Sequence, residues 1–183
     1  MKSTKNNHYL ILAIILIAVA AGLRLLPHAP NFAPVGALAL FGGAYLKKQW
    51  SYIVPIVAML VSDLFLGFYT PQIMAAVYIS FILIVFFGSL ARNNKNIGRL
   101  AVLTLSGSIA FFVITNFTVW AFTPMYAHTA SGLVSCFVAA LPFFRNTIFG
   151  DIFYVVAFFG SFEAIKLYLP TGMTQITPSE YSG

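Results

Sequence analysis

The 183 residues are 60% hydrophobic and only 8% charged, with a formal net charge of +6. A soluble domain carries about 25% charged residues, so ten basic and four acidic side chains cannot coat a globule in water, and lipid must be the outer solvent. The basic residues stand in ones, twos and threes at the ends of apolar runs, which is a topology signal and not a nucleic-acid footprint, and the single cysteine, Cys136, excludes an intrachain disulfide.

Taken in chain order, the apolar runs predict an all-α polytopic membrane protein with six spans. Tyr9 to Leu23 is the first, and snorkelling by His8 and Arg24 extends it towards the roughly 20 residues that cross about 30 Å of hydrocarbon. Lys2 and Lys5 precede it and Ala18, Ala20, Ala21 and Gly22 close it, so the same stretch also fits a signal peptide. Phe32 to Leu46 is too short to cross upright; an irregular segment after Pro27 and Pro30, followed by a short second helix rich in Gly and Ala, is expected. Spans three, four and five are predicted at about Trp50 to Phe68, Ile73 to Leu90 and Ile97 to Phe122. A polar loop containing Thr123, Pro124, Tyr126, His128 and Thr129 follows. Leu133 to Phe144, broken by Pro142, then reads as an extra short helix at the outer surface before a sixth span from about Thr147 to Leu169. Residues 1–169 form one transmembrane domain in this reading, and 170–183 a polar tail.

Eight of the ten Lys and Arg residues (Lys2, Lys5, Lys47, Lys48, Arg92, Lys95, Arg99 and Lys166) fall on one side of this topology; Arg24 and Arg145 fall on the other. The positive-inside rule makes the first side cytoplasmic, with both termini there. The expected location is the bacterial inner membrane. The chain carries no Walker loop, no HExxH and no paired cysteines, so nucleotide hydrolysis and structural zinc within it are not expected.

With orientation set, the polar residues sort by depth. Arg24, His28, Asn31, Asp63, Asn116, Trp120, Arg145, Asn146 and Asp151 all fall in the outer half or outer loops and form the candidate ligand-binding set, with no catalytic residue, no metal ligand and no cofactor expected. Asp63 lies deep in a span, where an ionised carboxylate costs several kcal/mol unless paired; Arg24 and His28 are the available cations. Both a structural ion pair and a ligand contact fit, and Arg24 and Asp63 are expected to face one another beneath the segment from Pro27 to Pro34. Asp151 is placed in the first turns of the sixth span, favoured there by the helix dipole with Asn146 and Thr147 as candidate caps, while Gly150 gives room for a ligand or a helix. Asn116 and Trp120 share a stripe with Phe112, as packing or as a ligand wall. On the inner side Glu163 is expected to snorkel or to pair with Lys166.

Three strings carry a resemblance: RLLPHAPNFAPVGALALFGG from Arg24 to Gly43, SDLFLGF from Ser62 to Phe68, and LPFFRNTIFGD from Leu141 to Asp151. They resemble a family of small bacterial membrane proteins related to the substrate-binding S components of energy-coupling factor transporters. The resemblance implies a six-helix subunit that captures a vitamin-sized molecule from outside and works with a separate energising module, a coupling membrane protein plus ATPases. Such subunits often dock through an Ala-x-x-x-Ala motif on the first helix; here the nearest match is Ala18-x-x-x-Gly22. Two other classes stay open: a membrane enzyme using Asp63, His28 or Asp151 on a lipid-linked substrate, and a structural or assembly subunit.

Overall fold

The computed structural model describes residues 15, 18–27 and 29–168, with side chains through residue 164. It is all-helical, and no strand occurs among the described residues. Helix α1 is described over 18–25. Next come α2 (Val35–Tyr45), α3 (Lys48–Leu66), α4 (Pro71–Leu90), α5 (Ile97–Phe122) and α6 (Ala130–Tyr168). Helices α3 to α6 are long and apolar enough to cross a membrane. They turn side chains such as Phe65, Ile79, Val102 and Phe153 outward, as a protein solvated by lipid does. The predicted first span, the tail after residue 169 and His28 lie wholly or partly outside the described residues.

Local signals explain most helix ends. Pro71 occupies the start of α4, where a missing N–H costs nothing. The Asn96 side chain accepts from the Arg99 amide at 2.7 Å and caps α5. Gly67 ends α3 at φ 92°, a region closed to most side chains.

The extra outer helix is not a separate element. Helix α6 runs unbroken for 39 residues, about 58 Å at the usual rise, and Pro142 lies inside it. Its cap is Thr129, whose hydroxyl accepts from the Gly132 amide at 3.1 Å; Asn146 and Thr147 sit within the helix. Pro142 removes one backbone donor, but α5 braces the helix on both sides of it. The Phe112 ring meets Phe137 edge-on at 5.4 Å before the proline and stacks on Phe144 at 4.4 Å after it. Cys136, buried, points its thiol at the Asn116 carbonyl at 3.4 Å and adds to the same seam.

The shortest helix lies at the centre. Apart from Gly36, every residue of α2 is buried, with α3, α4, α5 and α6 around it. Its apolar character runs all round because every face meets protein. Glycines allow this. A Cβ on Gly43 would overlap the Val85 carbonyl, and one on Gly88 would overlap the Leu40 carbonyl, so α2 and α4 touch backbone to backbone. On the other side Phe41 and Tyr45 interleave with Phe159 and Phe162 of α6, at centroid distances of 4.5–5.3 Å.

Eleven residues reach only about 16 Å, roughly half the hydrocarbon thickness, so one end of α2 must stop inside the bundle. Its C-terminal end is finished by Arg92, which donates to the Gly43 carbonyl at 2.8 Å and to Leu46 at 3.3 Å, a cation at the negative end of the dipole. Nearby, the Tyr45 hydroxyl donates to the Glu163 carboxylate, and Lys95 lies 4.9 Å from the centre of the Tyr45 ring. Tyr45 is thus a described partner of Glu163; the Lys166 side chain is outside the described set.

Candidate functional site

The other end of α2 opens on a cavity of about 600 Å³, within the range of small-molecule sites. Val35 and Gly36 of α2 line it, together with Leu25 to Pro27 and Asn31 of the incoming chain. Its apolar wall includes Met59, Val77, Phe81, Ile84 and Phe111. Its polar groups are Arg24, Asn31, Tyr69, Thr147 and Asp151.

The segment over the cavity is pinned in a defined path. Asn31 adopts φ 64°, which Asn tolerates better than most residues, and the Phe32 amide closes a turn onto the Ala29 carbonyl at 2.9 Å. The Asn146 amide of α6 donates to the Pro30 carbonyl at 3.0 Å. Phe32 packs on Phe153 and Tyr154, and its Cα would stand 3.1 Å from a Cβ on Gly150. The room left by Gly150 is therefore taken by this segment, not by a ligand or by another helix.

Arg24 and Asp63 meet as expected. Arg24 Nη1 lies 2.6 Å from Asp63 Oδ1, and the same nitrogen donates to the Ser62 hydroxyl at 2.5 Å and to the Met59 carbonyl at 3.4 Å. Tyr78 donates its hydroxyl to Asp63 Oδ2 at 2.9 Å. Asp63 is fully buried with both oxygens engaged, and only Arg24 of the pair lines the cavity. The carboxylate underpins the wall; the guanidinium forms it.

Tyr69, in the turn between α3 and α4, also faces the cavity. Burial, reinforced by the Asp63 carboxylate and opposed by Arg24, raises its phenol above the ordinary value, so it presents a neutral hydroxyl.

Asp151 stands in the middle of α6, not in its first turns, so the dipole of its own helix does not stabilise it. The dipole it meets is that of α2. A Cβ on Gly36, in the first turn of α2, would overlap Asp151 Oδ1, so the carboxylate lies against the α2 backbone in the room that glycine leaves. Ser108 of α5 donates to Oδ2 at 2.7 Å. Asp151 thereby joins α2, α5 and α6 at the cavity floor. Thr147, one turn earlier on the same face, uses its proton on the Phe143 carbonyl at 3.0 Å and leaves oxygen lone pairs towards the cavity.

Of the sequence-derived set, Arg24, Asn31 and Asp151 come together in the cavity, and His28 lies outside the described residues. Four others stand away from it. Asn116 donates to the Phe112 carbonyl of its own helix at 2.8 Å, and Trp120 donates to the Ala127 carbonyl at 3.0 Å with His128 against its ring. Arg145 is exposed over the Phe149 ring, and Asn146 holds the Pro30 segment from outside. Sequence reasoning does not reach Tyr69, Ser108 or Gly36. Ser108 had a signal: Thr104, Ser108 and Thr115 form a buried hydroxyl stripe on one face of α5.

Comparison with known proteins places the whole bundle in one group. A family of unknown function, DUF6580, matches residues 3–172. The chain belongs to that family. The match takes in the loop, the half-length helix and every cavity residue of this DUF6580 protein. No curated protein and no solved structure compared with it gives a match.

Proposed function

We propose that this chain is the substrate-binding subunit of a membrane transporter, related to the S components of energy-coupling factor transporters. It captures a vitamin-sized molecule in the cavity at the N-terminal end of α2. In this reading it crosses the bacterial inner membrane six times with both termini in the cytoplasm. The turns and helix ends carrying Lys47, Lys48, Arg92 and Lys95 face inward and the cavity faces outward.

One observation carries the proposal. A half-length helix enclosed by four others ends on a 600 Å³ cavity whose wall holds a guanidinium and a buried carboxylate. Transporter sites are commonly built where a helix stops at mid-membrane, because such an end leaves room between packed helices for polar groups that face a substrate. An assembly subunit would have no use for such a space. The enzyme alternative asks for an acid or base among Asp63, His28 and Asp151; Asp63 is fully enclosed and does not line the cavity, which leaves Asp151 as the one described residue of the three that does. Energy for release comes from a separate module of a coupling protein and ATPases, in keeping with the resemblance and the lack of a nucleotide motif.

The test is binding. Full-length protein extracted gently and reconstituted in nanodiscs should carry a small molecule detectable by native mass spectrometry, or should gain thermal stability with a member of a vitamin and metabolite panel. Absence of both would remove the proposal.

A further inference from the structure

The cavity presents two polar groups whose bonding is incomplete, and they are of opposite kinds. All three protein contacts of Arg24 fall on Nη1; among the described residues Nε and Nη2 have no partner. Those two nitrogens form the side edge of the guanidinium, the fork that grips a carboxylate with two parallel hydrogen bonds. Asp151 is 7% exposed, and one oxygen is held by Ser108. Its Oδ1 has no hydrogen-bond partner and no cation among the described residues, although the residue lines the cavity.

The environments assign the two ends. Asp63 already balances the charge of Arg24, so Arg24 offers directed donors more than net charge. Asp151 is the unbalanced group, and a buried carboxylate with a vacant lone pair is completed by a basic nitrogen. The N-terminus of α2 would otherwise compete for an anion, but the Asp151 carboxylate already lies against Gly36 and repels one there. The rest of the wall, including Phe81 and Phe111 with ring centres 5.6 Å apart, is apolar.

We propose, resting on the binding role above, that the ligand is amphoteric: a carboxylate held by the Nε and Nη2 edge of Arg24, a basic nitrogen held by Asp151 Oδ1, and an apolar, ring-sized body between them. Selectivity then comes from the two ends, and the apolar wall supplies affinity.

Four isosteric probes separate the contributions: para-aminomethylbenzoate, para-toluate, para-methylbenzylamine and para-xylene, each with its biphenyl homologue to vary the spacing. Calorimetry on the full-length protein in nanodiscs should show one amphoteric probe binding about tenfold tighter than either single-function analogue. Asp151→Asn, which keeps the shape and an oxygen for Ser108, should erase the advantage of the amine and spare that of the acid. Arg24→Lys, which keeps a cation for Asp63, should do the reverse. If single-function or apolar probes bind as well as the amphoteric ones, or if Asp151→Asn leaves the ratio unchanged, the two-ended assignment is wrong while the cavity remains a binding site. If no probe of either length binds and the protein also carries no native small molecule, the binding role itself falls.

Discussion

At its C-terminal end α2 is closed by protein, whereas at its N-terminal end it meets empty space. The closed end has Gly43 pressed on the α4 backbone, Phe41 and Tyr45 locked among the α6 rings, and Arg92 folded onto the last carbonyls. The open end has the same helix facing Arg24, Tyr69, Thr147 and Asp151, with donors and acceptors unspent. One helix thus divides the bundle into a half whose side chains act on stability and a half whose side chains act on a guest. The division makes a graded set of expectations, because substitutions in the closed half, or in the buried Arg24–Asp63 pair beneath the cavity wall, should cost folding, and those of side chains that only face the cavity should not.

The largest effect is expected at the glycine contact. Gly43→Val or Gly88→Val drives a side chain into a neighbouring carbonyl, and backbone cannot yield as a flexible side chain does. Loss of monodisperse protein in size-exclusion chromatography is the expected result. Gly160→Val is the control, since a Cβ there meets nothing within 4 Å. Equal behaviour of the three variants would mean that α2 and α4 do not touch through backbone.

Asp63→Asn comes next. It leaves Arg24 uncompensated beside a fully buried position, at a cost of roughly 3–5 kcal/mol. Thermal melting should fall sharply, and adding Arg24→Gln should recover much of the loss. Failure of the double variant to recover would show that Ser62, Met59 and Tyr78 hold this corner without the charge pair. Arg92→Met is expected to be milder, about 1–3 kcal/mol, because it removes charge-assisted bonds to two carbonyls but keeps the aliphatic stem.

The same contrast separates what was legible in the sequence from what was not. Helix identity and the bounds of α5 were readable because apolar length and flanking charge report them directly, and Arg24 with Asp63 was readable because a carboxylate deep in a span demands a cation. The shortness of Phe32 to Leu46 announced an irregular entry, and the structure places α2 at Val35–Tyr45 after a turn. The central position of α2 was hidden, since a stretch rich in Gly and Ala says that something comes close but not which helix. Pro142 reads as a break in the sequence, yet α6 runs through it, with Phe112, thirty residues away along the chain, packed against rings on both sides of it. The same reading puts Asp151 in the first turns of a helix, whereas α6 starts at Ala130 and the dipole that Asp151 meets is that of α2. Asn116 and Trp120 fall in the outer half of the predicted topology, but sequence does not report that each is satisfied by a nearby carbonyl.

The smallest expected change in stability belongs to Asp151→Asn, although the residue is as deeply placed as many core side chains. The carboxylate is desolvated and takes one hydrogen bond from Ser108, with no cation beside it among the described residues. Asparagine keeps the volume that Gly36 admits and an oxygen for the Ser108 proton, while it sheds a buried charge whose only described compensation is one hydroxyl and the end of α2. Loss and gain are of similar size, so melting should move by no more than about 1 kcal/mol in either direction. A fall as deep as that of Asp63→Asn would make Asp151 the anchor that joins α2 to α5 and α6, and the open half of the molecule would then belong to the fold as much as the closed half does.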